Sequence, residues 1–227
     1  PKYNRVFYDS TDVIVTISKL TDDITRKVSD KAEVIHLPHA VNTNIFSKIE
    51  GEEMDNFRQN SLANAENKDK MVFFWNNRNA RRKQSGTVIF WFKEFLDRVG
   101  HDNACLIMHT DPKDMHGQDL EAIVHELGLN TGQVMFSKDK VSSRSLAFLY
   151  NLADCTINIS DAEGFGLATL ESLACETPII VTMTGGLQEQ VTDGENWFGL
   201  GIEPSSRAII GSQEIPYINE DRINGDE

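Results

Sequence analysis

Along this chain, short runs of β-branched and aromatic residues alternate with longer amphipathic stretches, and that alternation predicts its elements. Val13 to Ile17 reads as a strand, Ser18 as the cap of a helix to about Val28, and Glu33 to Leu37 as a second strand ended by Pro38. From Ser47 to Lys70 the residues are polar and rich in Glu and Asn, which predicts a linker with room for one weak helix. The rhythm then becomes regular. Strands are expected at Met71 to Trp75, Ala104 to His109, Gln133 to Phe136, Cys155 to Ile159 and Ile179 to Thr182. Between and after them lie helices near Thr87 to Val99, Gln118 to Leu127 closed by Gly128, Ser143 to Leu152, Leu167 to Cys175, and a short one at Leu187 to Val191. Strands separated by helices at this spacing imply right-handed crossovers, and so an α/β fold with a doubly wound parallel sheet. Such sheets bind ligands at the carboxyl ends of their strands.

Composition changes this picture only at its edges. The 227 residues can bury one good core, or one domain and part of another. With 22 Lys and Arg against 35 Asp and Glu, the net charge of −13 argues against broad binding to nucleic acid or anionic membranes. A phosphate ligand would therefore need a local basic island. No apolar run approaches membrane-spanning length. Cys105, Cys155 and Cys175 lie in apolar segments without CxxC spacing, which predicts buried reduced thiols and a reducing, cytoplasmic compartment.

The most informative run is Glu163-Gly164-Phe165-Gly166-Leu167-Ala168-Thr169-Leu170-Glu171. It sets two carboxylates on either side of a glycine-punctuated helix entry. The glycines permit a tight turn, and the amides of about Phe165 to Leu167 would present unpaired N–H groups and the helix dipole to an anion. Both glutamates can accept hydrogen bonds from sugar hydroxyls. The bland reading is a tight turn with a dipole-favoured glutamate and a solvated one. Context favours chemistry. The loop after the Met71 strand carries Arg78, Arg81, Arg82 and Lys83, four cations in six positions of an acidic chain. Arg78 can fork two oxygens and Lys83 adds a compact charge, so a diphosphate is the natural guest. Gly185 and Gly186, after the Ile179 strand, offer another amide cradle, and alone are only a turn. His109 ends its strand on the same rim and reads first as structural.

Together these residues resemble the donor-binding half of the retaining GT-B glycosyltransferases of family 4 (group 1) type. Glu163 to Glu171 looks like that family's EGFGL…E motif, and Arg78 and Lys83 match its Arg and Lys at the same offset. Asp154, Ser160, Thr177-Pro178-Ile179-Ile180 and Gly185-Gly186-Leu187 match further signatures in order. Pro38 to Phe46 resembles the junction between its two domains, and the likeness runs from about Thr11 to Pro204.

The resemblance implies a Rossmann-like GT-B C-terminal domain preceded by the end of the N-terminal domain. It places the end of the acceptor domain at 1–46, a linker at 47–70, the nucleotide-sugar domain at 71–205 and a truncated C-terminal tail at 206–227. It further implies that Glu171 holds the ribose, and that Arg78, Lys83, Gly185 and Gly186 hold the diphosphate. Glu163, as the catalytic candidate, would hold the transferred sugar with Gly164, Phe165, Gly166 and Leu167, while the base would lie by Ser137 and Lys138. The co-substrate would be a UDP- or GDP-sugar, with no metal required and no other cofactor. The acceptor would be a glycan, lipid or protein reached through the remainder of the first domain, through which membrane contact could also be made.

Departures accompany the matches. Asn77 stands where the family has Gly, His109-Thr110 replaces a glycine-rich turn, and Glu176 replaces a helix-ending Gly. The short N-terminal part reads as a fragment of a larger enzyme. Three other readings stay open: a glycoside hydrolase with paired carboxylates, a nucleotide-sugar epimerase, and a non-catalytic nucleotide-sugar-binding module.

Overall fold

The structure is a computed structural model that describes residues 2–63, 65, 67–213 and 217–225. The chain opens with α1 (Lys2–Tyr8), β1 (Val13–Thr16), α2 (Lys19–Val28) and β2 (Glu33–His36). β1 and β2 pair in parallel around α2, whose start is capped by the Ser18 hydroxyl accepting from the Thr21 amide. Next comes α3 (Glu52–Ser61).

The main body follows, with strands β3 (Met71–Asn76), β4 (Ala104–His109), β5 (Val134–Ser137), β6 (Cys155–Asn158), β7 (Ile179–Thr182) and β8 (Gly199–Ile202). Between them run α4 (Ser85–Val99), α5 (Leu120–Glu126), α6 (Ser143–Leu152), α7 (Leu167–Ala174) and α8 (Gln188–Val191). The six strands form one parallel sheet in the order β5-β4-β3-β6-β7-β8. The chain thus winds outward from β3, returns to the centre, and winds outward again from β6. The point where the order reverses, between β3 and β6, opens a crevice at the strands' carboxyl ends.

The near-continuous apolar runs of these strands follow from burial on both faces. Phe73, Trp75, Leu106 and Met108 pack under Val88, Ile89, Phe92 and Leu96 of α4 and Leu120 of α5. On the opposite face Val72, Phe74, Cys105 and Ile107 meet Ala147 and Tyr150 of α6, together with Phe46 and Leu62. Each large side chain so buried contributes roughly 1.5–3 kcal/mol. The three cysteines are free and buried, and desolvation pushes each thiol up to about 11. Cys155 lies on the α4 face, Cys105 and Cys175 on the α6 face.

Predicted and observed boundaries agree within a few residues, and the differences fall at the ends of the molecule. The stretch expected as a linker is packed: Phe57 of α3 meets Phe148 of α6 with ring centroids 5.2 Å apart. The Arg58 guanidinium also donates to the Leu152 and Lys70 carbonyls at 3.2 and 3.1 Å. The expected tail is likewise structured. Strands β9 (Ser206–Ile210) and β10 (Ile218–Arg222) pair antiparallel, and the Asp221 amide donates to the Asp161 carbonyl at 3.0 Å on the crevice rim. Of the terminal segment from Ile215 on, Ile215, Pro216, Asp226 and Glu227 lie outside the described residues. Among the described residues no helix is long and apolar enough to cross a membrane.

Candidate functional site

Two loops wall the crevice. After β3 the chain passes Asn77 to Ala80, makes a single tight turn at Arg81–Lys83, and enters α4 through Gln84, whose φ of 55° is left-handed. A non-glycine residue there costs on the order of 1 kcal/mol. Its side chain offsets that cost. The Gln84 amide nitrogen donates to both Asp161 carboxylate oxygens at 2.9 and 2.8 Å, and its carbonyl accepts from the Thr87 hydroxyl at 2.7 Å. The first loop is thereby tied to the second, at 159–166. The Asp161 amide also donates to the Arg82 carbonyl at 2.9 Å, and the Arg82 guanidinium to the Ala162 carbonyl at 2.5 Å.

At this junction the Lys83 ammonium donates to Glu163, with side chains only 9% and 12% exposed. Burial lowers the Lys83 pKa and the Glu163 charge opposes that shift. The Arg82 guanidinium stands 3.9 Å from the same carboxylate. These three residues, with Ile17, His39, Asn77, Asn158 and Gly164 to Ala168, line a cavity of about 480 Å3. The sequence-predicted Gly164, Phe165, Gly166 and Leu167 are therefore all in its wall. His39 reaches it from the N-terminal segment and sets its ring edge-on to Phe165, centroids 5.3 Å apart.

The loop entering α7 is held from behind. Gly166 has φ 92°, and its carbonyl and that of Phe165 accept from the Gln190 amide at 3.1 and 2.7 Å. Helix α7 starts on the cavity wall, at Leu167 and Ala168, so the positive end of its dipole lies there. Gly185 and Gly186 also back this loop. The Gly186 amide donates to the Glu163 carbonyl at 3.3 Å, and a β-carbon on Gly185 would fall 1.7 Å from that oxygen. The expected amide cradle is thus amended: these glycines let backbone press on backbone, because the amide of Gly186 is spent inside the protein.

Glu171 lies further along α7, half-buried, accepting from the Tyr150 hydroxyl at 2.8 Å, which in turn accepts from the Asn76 amide at 2.8 Å. Desolvation raises the Glu171 pKa, and the Tyr150 hydrogen bond opposes this. Ser137, at the end of β5, shares a 2.9 Å hydrogen bond with His109 Nδ1, and burial lowers the pKa of that imidazole. Lys138 is exposed and bonded to Glu121.

The basic island is divided. Arg78, 60% exposed, forks onto Asp114 at 2.6 and 3.1 Å and contacts His116 Nδ1 at 2.7 Å, so in this conformation it faces away from the cavity. The pairing depresses the Asp114 carboxyl well below its ordinary range. Arg81 forks onto Glu220 of β10 at 2.8 and 2.7 Å, while Arg222 reaches Asp161 at 2.6 Å and Glu220 at 3.1 Å. Both carboxylates are buried, with opposite results: the Arg81 hydrogen bond lowers the Glu220 pKa, whereas burial raises that of Asp161. Only Lys83 and Arg82 of the island line the cavity. Sequence reasoning passed over Arg82, Gln190, Tyr150 and Asn158 as site residues. The sole available signal was position, since Arg82 adjoins Lys83 and Asn158 is a polar residue ending an apolar strand.

A buried cation, a carboxylate, a helix start and an oxygen-rich rim suit a ligand carrying both phosphate and hydroxyl groups. Comparison with known proteins points the same way. The profile of the family described as "Glycosyl transferases group 1" matches residues 55–210. A D-inositol 3-phosphate glycosyltransferase from Acidothermus cellulolyticus is 40% identical over 108 residues, 47% of this chain and 24% of that one. A sucrose-phosphate synthase from Thermosynechococcus elongatus superposes with a TM-score of 0.72 at 23% identity, covering 89% of this chain and 48% of that one. Anabaena HepE, solved in complex with UDP-glucose, gives 0.71 at 17% identity, covering 90% and 55%. These two likenesses establish the α/β fold. The chain spans between a quarter and about half of the length of these proteins.

Proposed function

The chain belongs to the glycosyl transferases group 1 family, and from that premise we propose that it supplies the donor site of a retaining GT-B glycosyltransferase of family 4 type. The reaction moves a sugar from a nucleotide-diphosphate donor to an acceptor hydroxyl with its anomeric configuration kept. The observation that carries this reading is the buried Lys83–Glu163 pair on the cavity wall, beside the start of α7. A cation and an anion that share a cavity are poised to exchange partners.

On binding, the diphosphate replaces Glu163 as the partner of Lys83, with Arg82 beside it. Glu163, released, accepts a hydroxyl of the transferred sugar. As the glycosidic bond lengthens, negative charge grows on the leaving diphosphate. Lys83, Arg82 and the first amides of α7 stabilise that charge in a partly desolvated site, where such stabilisation is worth more than in water. These groups provide the neutralisation that a divalent cation gives in other transferases, so the reaction is proposed to need no metal. Glu171, aligned by Tyr150, takes the ribose hydroxyls, and Ser137 lies toward the base. Retention follows from attack on the face that the leaving phosphate vacates, where a phosphate oxygen takes the acceptor proton. Arg78 contributes only if it exchanges Asp114 for phosphate. The UDP-glucose complex of HepE supports the ligand class. The acceptor, whether glycan, lipid or protein, docks on parts of the enzyme beyond this chain.

Isothermal calorimetry against a panel of UDP- and GDP-sugars tests the reading. Saturable binding by the wild type is expected, weakened roughly tenfold or more by Glu171→Ala and by Lys83→Ala, the scale of a lost charged hydrogen bond. A panel with no saturable signal would refute it.

A further inference from the structure

Two amide side chains of the cavity wall have no part in the mechanism above. Asn158, the last residue of β6, is 1% exposed and lines the cavity. Its carbonyl accepts from the Ser160 hydroxyl at 2.5 Å and from the Ser160 amide at 3.3 Å. Those two donors fix which end of the amide is which. Its nitrogen has no hydrogen-bond partner among the described residues. Asn77, which follows β3 directly, also lines the cavity, and its buried amide nitrogen is likewise without a partner among the described residues. Extending the β3–β6 register, Phe74 beside Thr156, sets Asn158 next to Asn76 and one residue from Asn77. Two unpaired amide donors therefore line one cavity at the reversal point of the sheet.

Leaving a buried N–H group unpaired costs about 1–3 kcal/mol, and native proteins rarely tolerate it without a reason. Here the same fault occurs on both strands that flank the crevice and within one cavity. The neighbouring cations are already bound to carboxylates, whereas these two side-chain amides are unoccupied. Unlike Lys83, they are neutral, and they reward an oxygen for its position rather than its charge.

We infer that Asn77 and Asn158 form a paired amide clamp that receives an oxygen of the ligand's distal end. The inference rests on the nucleotide-sugar reading of this cavity. The chemistry recognised is a hydrogen-bond acceptor, carried either by the terminal phosphoryl group or by a hydroxyl of the sugar. The clamp sets which donors fit, because an analogue lacking that oxygen leaves two buried donors unpaired.

Calorimetry with UDP, UDP-glucose and GDP-mannose on the wild type, Asn77→Ala and Asn158→Leu tests the clamp, with unliganded melting temperature recorded for each. The Asn77 amide nitrogen has no partner among the described residues, so Asn77→Ala is expected to melt at or above the wild-type temperature while binding its best ligand roughly tenfold more weakly. Loss with both nucleotide and nucleotide sugar would assign the oxygen to phosphate. Loss confined to the nucleotide sugar would assign it to the sugar. Asn158→Leu also gives up its Ser160 contacts and can fold poorly, in which case Asn77→Ala decides alone. Wild-type affinity for every ligand in a folded Asn77→Ala would overturn the clamp and leave the nucleotide-sugar reading intact. A wild type that binds none of the three would overturn both.

Discussion

Two ionic arrangements lie within one loop of each other and are built from the same materials. In one, Arg81, Glu220, Arg222 and Asp161 join the C-terminal hairpin to the crevice rim, each carboxylate serving at least two donors. In the other, Lys83 and Glu163 face a cavity with Arg82 near. The first is closed, since its charges are satisfied by protein. The second faces a cavity, where the proposed ligand would take the place of either partner. Proximity to a glycine-rich loop therefore does not decide which cation is functional. What separates the two is that the Lys83–Glu163 pair lines the cavity and the hairpin network does not.

Breaking the open pair should give the largest effect. Lys83→Ala is expected to weaken nucleotide-sugar binding by up to roughly a hundredfold in calorimetry, as a charge-assisted bond to phosphate is lost. Removing one carboxylate of the closed network should act on stability instead. Glu220→Ala removes the forked partner of Arg81 and leaves Arg222 with Asp161 alone, at a cost of about 2 kcal/mol in urea denaturation, with a smaller change in affinity for ligand. Binding should also respond to acid. The pKa of Glu171 is raised above its ordinary 4.5, so its carboxylate form is lost as pH falls, from a pH above that value. Affinity is then expected to drop by as much as about tenfold per unit, and Glu171→Gln should flatten the profile. The same sign means that protonation of Glu171 favours the unliganded fold below its unfolded pKa, an advantage lost as pH rises through the folded value.

Glu176 supplies a strained residue outside both arrangements. It follows α7 with φ 61° and is exposed, so Glu176→Gly should raise stability by about 1 kcal/mol in chemical denaturation without altering binding. Arg78→Ala should matter least. Its pairing with Asp114 is solvent-exposed, and a stability change under about 1 kcal/mol is expected. If that variant weakened binding as much as Lys83→Ala, Arg78 would have to swing into the cavity when ligand arrives.

The main sheet was legible because its strands are buried on both sides and so carry unbroken apolar runs such as Val72 to Trp75. The hairpin was not, because its inward residue in β10 is Glu220, whose burial depends on arginines over a hundred positions earlier and two later. Charge read as solvated surface there is charge turned inward. The same blindness affected the basic island. Nothing within residues 78–83 reveals that Asp114 draws Arg78 outward while Glu163 draws Lys83 in. The glycine pair at 185–186 reads from sequence as an amide cradle or a turn, and that it presses on the Glu163 carbonyl is a tertiary fact. Local periodicity carries the scaffold, and long-range charge pairing carries the site.

The three cysteines turn the sheet into a pair of clocks. A thiol held at about 11 and shut from solvent does not react with an alkylating reagent at neutral pH, so each acquires label only when its own side of the sheet opens. Cys155 would time one side, and Cys105 with Cys175 the other. Labelling rates read residue by residue in a mass spectrometer would then tell whether the two sides come apart together or in succession, with no probe added to the protein.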